Sequence, residues 1–499
     1  MPVMRASLRG AASGVVAAVA GVSVGNLLAA ATSPGTAPVV VVGSQVIDWT
    51  PTPVKEWAIA TFGSADKPIL LTSVAIGTLA VAALAGVLAY RRLVLGVVIF
   101  GVLGSLAAAI ALARPTAAPW DAVPSAVTGL VAIATLTALS RTRRQSAGEG
   151  RSRRLVLTQA LVLLAAVAVQ TSAGVITRRR TTPADLALPR AGDVPPPLPE
   201  GLVLKGITPF RTTNQDFYRV DTRLSLPTVD VDTWRLRIDG DVRRPVSLTF
   251  DDLAAMDLIE RDITLTCVSN DVGGRYVGGA RWLGVRLTDV LDRAGIGESA
   301  DQILSTDVDG MTISTPLEIA IDGRDSMIAV GMNGVPLPRE HGFPARLIVP
   351  GLYGFVGATK WITRMTLTTY AAQDAYWTKR GWATDAPIKP SSRIDTPRPF
   401  EDVQAGTVTV GGIAWAQQQG GVVAVEVSID DSPWAPARLG PSAGQDYWRQ
   451  WYLRWEATPG QHTLAARAIT GRGRTQSANR ATPFPDGSSG IQRLTITVS

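Results

Sequence analysis

The feature that most constrains this chain is a series of apolar stretches in its first third. Each stretch approaches the ~20 residues that an α-helix needs to cross a bilayer. Buried helices of a soluble domain are the alternative, but nearly chargeless segments joined by short polar loops favour membrane spans. We therefore predict a transmembrane region with about five helices over residues 1–177, with spans near residues 10–30, 69–90, 93–113, 122–140 and 155–176.

Arginine and lysine residues in the loops predict the orientation of these spans. With the N-terminus inside, the outer loops hold only Lys55, Lys67, Arg114 and the triplet at 178–180, and everything after Ile176 lies outside. The stretch over 151–174 resembles a twin-arginine export signal, although ordinary positive flanking is the alternative. We predict a multi-pass protein of the cell membrane, in contact with lipid, with an extracytoplasmic soluble part. The cytoplasmic segments hold Arg5, Arg9, Arg91, Arg92, Arg141, Arg143, Arg144, Arg151, Arg153 and Arg154.

The remaining chain divides into a linker and two soluble domains. Residues 178–203 are rich in proline and predict an extended, semi-rigid spacer on the membrane surface. Residues 204–397 mix short strand and helix patterns, which is typical of an α+β domain. Residues 398–499 carry alternating strands separated by glycine and proline turns. That pattern predicts an immunoglobulin-like β-sandwich, although the cysteine pair of antibody domains is missing.

Cys267 is the only cysteine among 499 residues. It is a buried small hydrophobe, a nucleophile or a metal ligand, because a single cysteine cannot form an intramolecular disulfide. The alternating run over 263–266 predicts a half-buried strand that ends just before it. Two glycine pairs follow, Gly273-Gly274 and Gly278-Gly279, and such pairs allow backbone amides to approach an anion closely.

A second group of candidate residues lies in residues 331–361. His341, one of two histidines in the chain, is lodged in a loop among prolines and glycines. Arg346 follows five residues later, and Lys360 lies beyond a second glycine-rich turn. A lone loop histidine is more often structural than a ligand. An arginine and a lysine flanking one short strand are nevertheless suited to binding phosphate. The residues alone therefore indicate a thiolate site next to a phosphate-bearing ligand.

Several motifs resemble the sulfite oxidase family of molybdopterin-dependent oxidoreductases. They are "TCVSN" around Cys267, the following "GGARWLGVRLTDVL", and "NGVPLPREHGFPARLIVPGLYG" with a later "KW", all within residues 210–397. The segments "IAWA" and "WRQWYLRWEATPGQHTLAARA" resemble the dimerisation domain of that family. The resemblance covers about three-fifths of the chain, and it implies a possible homodimer through the C-terminal domain.

The resemblance implies a molybdenum–molybdopterin cofactor with Cys267 as the protein ligand of the metal. A soft thiolate suits a metal that is already bound by sulfur. By motif, the pterin and its phosphate would be held by His341, Arg346, Ala358, Thr359 and Lys360. The segment "TTNQDFYR" resembles that of periplasmic methionine-sulfoxide reductases, which adds Gln215, Tyr218 and Arg219. Thr306 is a further pterin contact whose alignment depends on gap placement.

Departures from the family pattern bear on the substrate. Sulfite oxidases place arginines shortly after the metal-binding cysteine, whereas this chain has Asp271 there, and Trp382 stands where they have a tyrosine. Arg219 remains near a position where they carry an arginine. A carboxylate at this place would repel a dianion. We therefore expect oxygen-atom transfer with a neutral S-oxide, an N-oxide or another small molecule, with sulfite oxidation itself as an alternative.

The route of the electrons is predicted from what the sequence lacks. The apolar spans contain no histidine, and no CxxCH motif occurs. We therefore expect no haem in this chain, and electrons that pass to a separate partner or to quinone. A non-catalytic membrane-attached binding module and a transporter are rival classes. The basic balance does not require nucleic acid as a partner, because the excess arginine lies at the membrane flanks.

Overall fold

The chain folds into two compact units. One comprises Met1–Ala184 with Thr222–Thr228, and the other comprises Asp185–Asp221 with Val229–Ser499. We describe each unit by itself. The computed structural model describes residues 2–51, 54, 57, 61–62, 66–114, 117–144, 150–181 and 186–499.

The first unit is a bundle of apolar helices. Among the residues that the structure describes, five helical segments are long and apolar enough to cross a bilayer, and they coincide with the predicted spans. The short apolar helix α2 was not predicted, because it is too short to register as a span. The helices are α1 Pro2–Ala31, α2 Pro38–Trp49, α3 Asp66–Arg91, α4 Leu93–Leu112, α5 Val123–Arg144 and α6 Gly150–Thr181.

Small residues and polar pairs connect these helices. A Cβ atom at Gly14 of α1 would overlap the carbonyl of Ala82 in α3, so the two backbones pack directly against each other. Helix α6 is attached to α1 by side-chain hydrogen bonds. Asn26 donates to Gln170 at 3.1 Å, and Gln159 donates to a serine of α1, also at 3.1 Å. Side-chain hydrogen bonds of this kind link neighbouring helices in apolar bundles.

The first half of the second unit contains two sheets. One has the strand order β2-β1-β10-β5-β6, and the other has the order β3-β4-β7-β8 with β9 also paired to β7. Short helices connect the strands: α7 Phe250–Ala254, α8 Leu287–Asp292, α9 Leu317–Ala320 and α10 Gly354–Gly357. The strands are β1 Leu236–Gly240, β2 Val246–Leu248, β3 Leu258–Thr266, β4 Val277–Arg286, β5 Gln302–Asp307, β6 Thr312–Pro316, β7 Met327–Met332, β8 Val335–Pro336, β9 Arg346–Ile348 and β10 Ile362–Thr368.

The sheet that contains β3 and β4 is buried on both faces. Ile263 and Leu265 pack into a small cluster with Trp282, whereas Val285 and Leu283 of β4 face the main core. Side chains alternate between the faces of a strand, so both faces need apolar residues. This double burial positions the end of β3, where Cys267 follows, well inside the domain.

The second half of the unit consists of two facing sheets with a common core. One sheet has the order β11-β13-β17-β16 and the other the order β12-β19-β18-β14-β15, with Val410, Val425 and Leu464 packed between them. The predicted alternating strands are present, whereas the immunoglobulin-type topology stays a prediction. The strands are β11 Ser391–Thr396, β12 Asp402–Val403, β13 Gly406–Trp415, β14 Val422–Ile429, β15 Ala435–Pro436, β16 Arg438–Leu439, β17 Arg449–Ala457, β18 Gly460–Thr470 and β19 Gln492–Val498.

Two predicted boundaries differ from the structure. The first sandwich strand begins at Ser391, before the predicted boundary at 397/398, because β11 pairs with β13. The predicted linker also begins too early, at residue 178, and part of it is paired with a strand. Helix α6 continues to Thr181, and Asp193 forms a bridge with Ile259 at the edge of β3. Proline content alone does not reveal such edge pairing.

Candidate active site

The loop that carries Cys267 joins strands β3 and β4. Cys267 donates its backbone N–H to the carbonyl of Tyr276 at 3.0 Å, and Asn270 donates its own to the carbonyl of Cys267 at 3.0 Å. The side-chain oxygen of Asn270 accepts from the amide of Tyr276 at 2.7 Å. These bonds close the loop on itself. Strand β3 ends at Thr266, which confirms that Cys267 lies directly after a strand.

The glycines after Cys267 have two different roles. Gly273 lies in the turn with φ of +78°, which glycine adopts without strain. Gly278 and Gly279 lie within β4, where Cβ atoms would come within 2.7 Å of the rings of Phe217 and Tyr447, respectively. The predicted anion nest is therefore wrong for the second pair. Those positions lack side chains because two aromatic rings pack against the strand.

Arg346 is the most deeply buried cation of the site, with 5% of the residue exposed. Its guanidinium donates to the carbonyl of His341 at 3.0 Å and to that of Ala358 at 3.4 Å. It also lies 5.1 Å from the ring centroid of Trp282. Nε has no hydrogen-bond partner within the described chain. Burial lowers the pKa of Arg346 to about 10, so the group stays charged at neutral pH.

His341 lies at the end of a short turn, Arg339–His341, that Gly342 terminates with φ of +115°. Its Nε2 lies 2.8 Å from the carbonyl oxygen of Asn214. Because a carbonyl can only accept, Nε2 carries the proton in the neutral ring. Burial lowers the pKa of His341 to about 4, and nearby positive charges contribute to this shift. The ring is therefore neutral at physiological pH.

Lys360 and Arg219 share one carboxylate. The Nζ of Lys360 lies 2.8 Å from Oδ2 of Asp221, and Nε of Arg219 lies 2.8 Å from the same oxygen. Lys360 also donates to the carbonyl of Glu340 at 3.1 Å. Burial lowers the pKa of Lys360 to about 8, although the charge of Asp221 opposes this shift. Sequence reasoning missed Asp221, since no motif distinguishes it from other acidic residues.

Electrostatic interactions connect Cys267 with the cations of the site, which are Arg346, Lys360 and Arg219. Burial raises the pKa of Cys267, while hydrogen bonds from Ser269 and the charge of Lys360 lower it. Burial also raises the pKa of Tyr218, and a charge on Cys267 adds to the effect. The pKa of Tyr353 is raised mainly by burial, with a contribution from the same thiol. The structure therefore brings the thiol, two phenols and the cations into one site, and Tyr353 is a member that sequence reasoning missed.

Ala358 contacts Arg346, and Thr359 follows it in the chain, whereas their role in holding the pterin stays a prediction. The carbonyl of Ala358 accepts from Arg346, and the hydroxyl of Thr359 is hydrogen-bonded to that of Ser305 at 2.5 Å. Thr306 follows Ser305 in strand β5, so its side chain points to the opposite face of the sheet. Ser305, and not Thr306, is the residue of this strand that contacts Thr359. The role of Thr306 as a pterin contact stays a prediction.

Gln215 is exposed, whereas its neighbour Asn214 makes the specific contacts. Asn214 donates to the carbonyl of Met332 at 3.3 Å, and its side-chain oxygen accepts from Asn333 at 2.7 Å. Its backbone carbonyl contacts His341 as described above. Asn214 therefore fixes this segment to the rest of the site, and the predicted pterin contact of Gln215 stays a prediction.

Trp382 belongs to an aromatic group. Its ring centroid lies 5.5 Å from that of Phe355 and 5.2 Å from that of Phe484. Trp377 packs against it edge to face, at 5.9 Å. Phe355 follows Gly354, where a Cβ atom would lie 3.9 Å from the carbonyl of Thr266. Trp382 thus packs against the residue that follows Gly354, and the backbone of Gly354 lies near the end of β3.

Asp271 does not face the buried site. Its side chain is 59% exposed and forms an ion pair with Arg480 at 3.4 Å. The sequence-based prediction places an isolated negative charge near the metal ligand, where it would repel an anion. The structure instead places a solvated carboxylate next to a cation, so the physical reason for that repulsion is absent. The role of Asp271 in substrate choice is corrected accordingly.

The residues fit an anionic cofactor that is bound through a thiolate. Arg346 offers a buried Nε–H without a partner in the described residues. Among the ion pairs of the described residues, none joins Arg346 to a carboxylate. The hydroxyl of Thr266, next to Cys267, is likewise buried without a hydrogen bond among the described residues. Buried polar atoms in this state are expected where a bound group completes the site.

Comparisons with known proteins agree with this site. The Oxidoreductase molybdopterin binding domain family matches residues 223–377. The mitochondrial sulfite oxidase of Homo sapiens is 33% identical over 314 residues, which cover 54% of this chain and 56% of that protein. The sulfite oxidase of Gallus gallus is 30% identical over 327 residues, which cover 54% of this chain and 70% of that protein. The chain thus spans only slightly more than half of the human relative.

A solved structure supports the same fold. The sulfane dehydrogenase SoxCD from Paracoccus pantotrophus superposes with a TM-score of 0.51 and 22% identity, over 58% of this chain and 81% of that one. Fold and site together define an oxidoreductase domain of the molybdopterin-binding class. The chain belongs to the sulfite oxidase family and is an enzyme of that family, which argues against the non-catalytic alternative.

Proposed function

We propose that this chain is a membrane-anchored molybdenum–pterin oxidoreductase that acts on the extracytoplasmic side. It would catalyse two-electron oxygen-atom transfer with a small sulfur- or nitrogen-containing substrate. The observation that carries the proposal is the single thiol at the end of β3, which interacts electrostatically with Lys360 and Tyr218 beside the buried guanidinium of Arg346. A thiolate ligand and a buried anion site are what this cofactor requires.

Each residue would contribute to holding the cofactor in its own way. Cys267 would bind the metal, and Arg346 and Lys360 would bind anionic oxygens of the pterin phosphate. Neutral His341, with Nε2 donating to the backbone, presents Nδ1 as an acceptor. Thr359 and the backbone of Ala358 complete the contacts. The bound metal supplies the two-electron change of oxidation state, and the protein supplies binding and orientation.

The phenols and the aromatic group would control protons and water near the reacting atoms. The raised pKa values of Tyr218 and Tyr353 keep both hydroxyl groups protonated at neutral pH, so they can donate hydrogen bonds to a substrate oxygen. Phe355 and Trp382 would limit the access of water from the other side. Arg219, which is held by Asp221, would direct a charged substrate toward the thiol.

Charge favours an anionic substrate more than the sequence indicated. Asp271 is paired with Arg480 on the surface, so its carboxylate would oppose an anionic substrate less than the sequence indicated, whereas the charge of Arg346 would be used by the pterin phosphate. The human and chicken relatives are sulfite oxidases by name, and the solved neighbour is a sulfane dehydrogenase. A sulfur oxyanion such as sulfite is therefore the second candidate substrate beside neutral S-oxides and N-oxides.

Location and partners form part of the proposal. The five apolar helices support an anchor in lipid, and the predicted orientation places the catalytic unit outside the cytoplasm. Electrons would pass to a separate protein or to quinone. The C-terminal sandwich would support a homodimer of the kind that the family resemblance implies.

Metal analysis and a substrate panel test the proposal. Full-length protein purified in detergent should contain about one molybdenum per chain. It should convert at least one of sulfite, dimethyl sulfoxide and trimethylamine N-oxide in the presence of an artificial electron carrier of suitable potential. Protein without molybdenum after production in a host that makes the cofactor would refute the proposal. Metal-loaded protein that left the whole panel unchanged would refute the substrate class alone.

A further inference from the structure

The loop from Cys267 to Tyr276 is held from outside by the C-terminal sandwich. The hydroxyl of Ser488 donates to the backbone carbonyl of Asn270 at 2.6 Å, and Ser488 is 7% exposed. Asn270 is the residue that closes the loop, because its amide bonds to the carbonyl of Cys267. Ser488 therefore fixes a residue that is hydrogen-bonded to both ends of the loop, to Cys267 and to Tyr276.

Two further sandwich residues hold the far side of the same loop. Arg393 donates to the carbonyl of Gly274 at 3.0 Å and is itself fixed by Asp395 at 2.6 Å. The side chain of Gln492 lies directly under Gly273, where a Cβ atom would come within 2.8 Å of it. Gln492 is in turn held by the backbone amide of Ile394 at 2.7 Å. The loop thus rests on side chains that the sandwich itself keeps in place.

The contacts between the sandwich and the Cys267 loop differ in how much they contribute to holding the loop in place. The ion pair between Asp271 and Arg480 is solvent-exposed on both sides, and such pairs contribute little. The bond from Ser488 is buried, and its loss would leave the carbonyl of Asn270 without that donor inside the protein, which is costly. A change at Ser488 should therefore act on the position of the loop far more than a change at Arg480.

We infer that Ser488 is a positioning residue, which acts through Asn270 to keep the thiol of Cys267 in place. The C-terminal sandwich then contributes directly to the geometry of the thiolate site, and loosening of the sandwich would loosen the candidate metal ligand. The relevance of this role to catalysis rests on the proposed function. The contact itself, and its effect on the thiol, do not.

The sole cysteine makes the inference testable in the full-length protein. A thiol-reactive dye reports on Cys267 alone, because the chain has one cysteine. In protein produced without the cofactor, the labelling rate follows the local opening of the loop. Ser488→Ala should label about tenfold faster than the wild type. Ser488→Thr keeps the hydroxyl and should label at the wild-type rate.

The adjacent serine provides a matched control. Ser489 donates to the carbonyl of Asn479 at 2.7 Å at an exposed position, so Ser489→Ala removes the same atom without affecting the Cys267 loop. It should label at the wild-type rate. Equal acceleration by both alanine variants would indicate general loosening and would overturn the inference. An unchanged rate in Ser488→Ala would overturn it as well.

The same variants separate this inference from the proposed function. In metal-loaded protein, Ser488→Ala should alter the electron paramagnetic resonance signature of reduced molybdenum, because a displaced thiolate changes the metal's surroundings. Ser489→Ala should leave that signature unchanged. Faster labelling of Ser488→Ala in protein that never binds molybdenum would support the positioning role and refute only the proposed function.

Discussion

Replacing Arg346 by methionine removes a buried positive charge and leaves an unbranched apolar side chain in its place. Burial lowers the pKa of Arg346 from the ordinary range of a guanidinium to about 10. At 1.36 kcal/mol for each pKa unit, keeping the cation in the folded protein without its anion costs about 3 kcal/mol. The substitution also removes two hydrogen bonds to backbone carbonyls, each worth about 1 kcal/mol. We therefore expect the unloaded variant to be as stable as the wild type, or more stable by about 1 kcal/mol.

A second buried arginine, Arg393, serves as a control, because its charge is paired with a carboxylate. Arg393 has the carboxylate of Asp395 at 2.6 Å, and both side chains are about one-tenth exposed. Arg393→Met would leave that carboxylate buried and unpaired, which costs about 3–5 kcal/mol. The same substitution should thus be almost neutral at Arg346 and destabilising at Arg393, because only Arg393 is paired with a carboxylate within the described chain.

Thermal unfolding of the full-length protein without cofactor, followed by tryptophan fluorescence, measures the difference. At about 2 °C for each kcal/mol, Arg346→Met should unfold within about 2 °C of the wild type and Arg393→Met about 6–10 °C lower. The folded pKa of Arg346 is depressed, so its unfavourable contribution is present below about pH 10 and relieved only above that value. The difference in unfolding temperature between the two variants should therefore be the same at pH 6 and at pH 8. A decrease in Arg346→Met as large as that in Arg393→Met would refute the reasoning.

Three further predictions concern the metal ligand, the topology and the substrate. Cys267→Ser should abolish turnover while leaving the unfolding temperature within about 2 °C, since a serine oxygen is a harder ligand than a thiolate; activity at the wild-type level would exclude Cys267 as the ligand. A reporter that is active only in the cytoplasm should be inactive when fused after Ser499, and an active fusion would invert the orientation. Asp271→Arg should leave the ratio of sulfite to dimethyl sulfoxide turnover within about twofold, because the carboxylate is solvated and paired with Arg480. A larger change would restore Asp271 to the substrate pocket.

Local patterns were sufficient to predict the helices and many of the strands. Each apolar span carries its own signal over about 20 residues, so the helices could be located without knowledge of their neighbours. The end of β3 at Thr266 could be located for the same reason. The glycines at 278 and 279 could not be interpreted locally, because a position without a side chain suits an approaching ligand and a packed aromatic ring equally well. Only the rings of Phe217 and Tyr447 distinguish the two.

Residues that enter the site through distant contacts were beyond the reach of the sequence. Ser488 lies more than 200 positions from Asn270, and nothing in its neighbours indicates the hydrogen bond between them. Tyr353 lies in a glycine-rich turn and becomes a site residue only through burial beside the thiol. Asp271 illustrates the opposite error, since closeness in sequence to Cys267 did not bring its carboxylate into the site.

The carboxylate of Asp221 lies in a site that is proposed to bind an anionic group, although it would repel an anion. The pKa of Lys360 gives a physical reason for its presence. Burial lowers that pKa, and the nearby cations Arg346 and Arg219 add to the effect, whereas the carboxylate of Asp221 opposes it. Without Asp221, the amine would lose its proton near neutral pH and would cease to attract an anion. Asp221 therefore keeps Lys360 charged, and Arg346, which has no such partner in the described part of the chain, retains the net positive charge. The site needs a protonated Lys360 and a net positive charge, and different residues provide the two. Asp221 keeps the amine of Lys360 protonated. The guanidinium of Arg346, whose pKa stays near 10, remains charged without a carboxylate partner in the described residues until an anion binds.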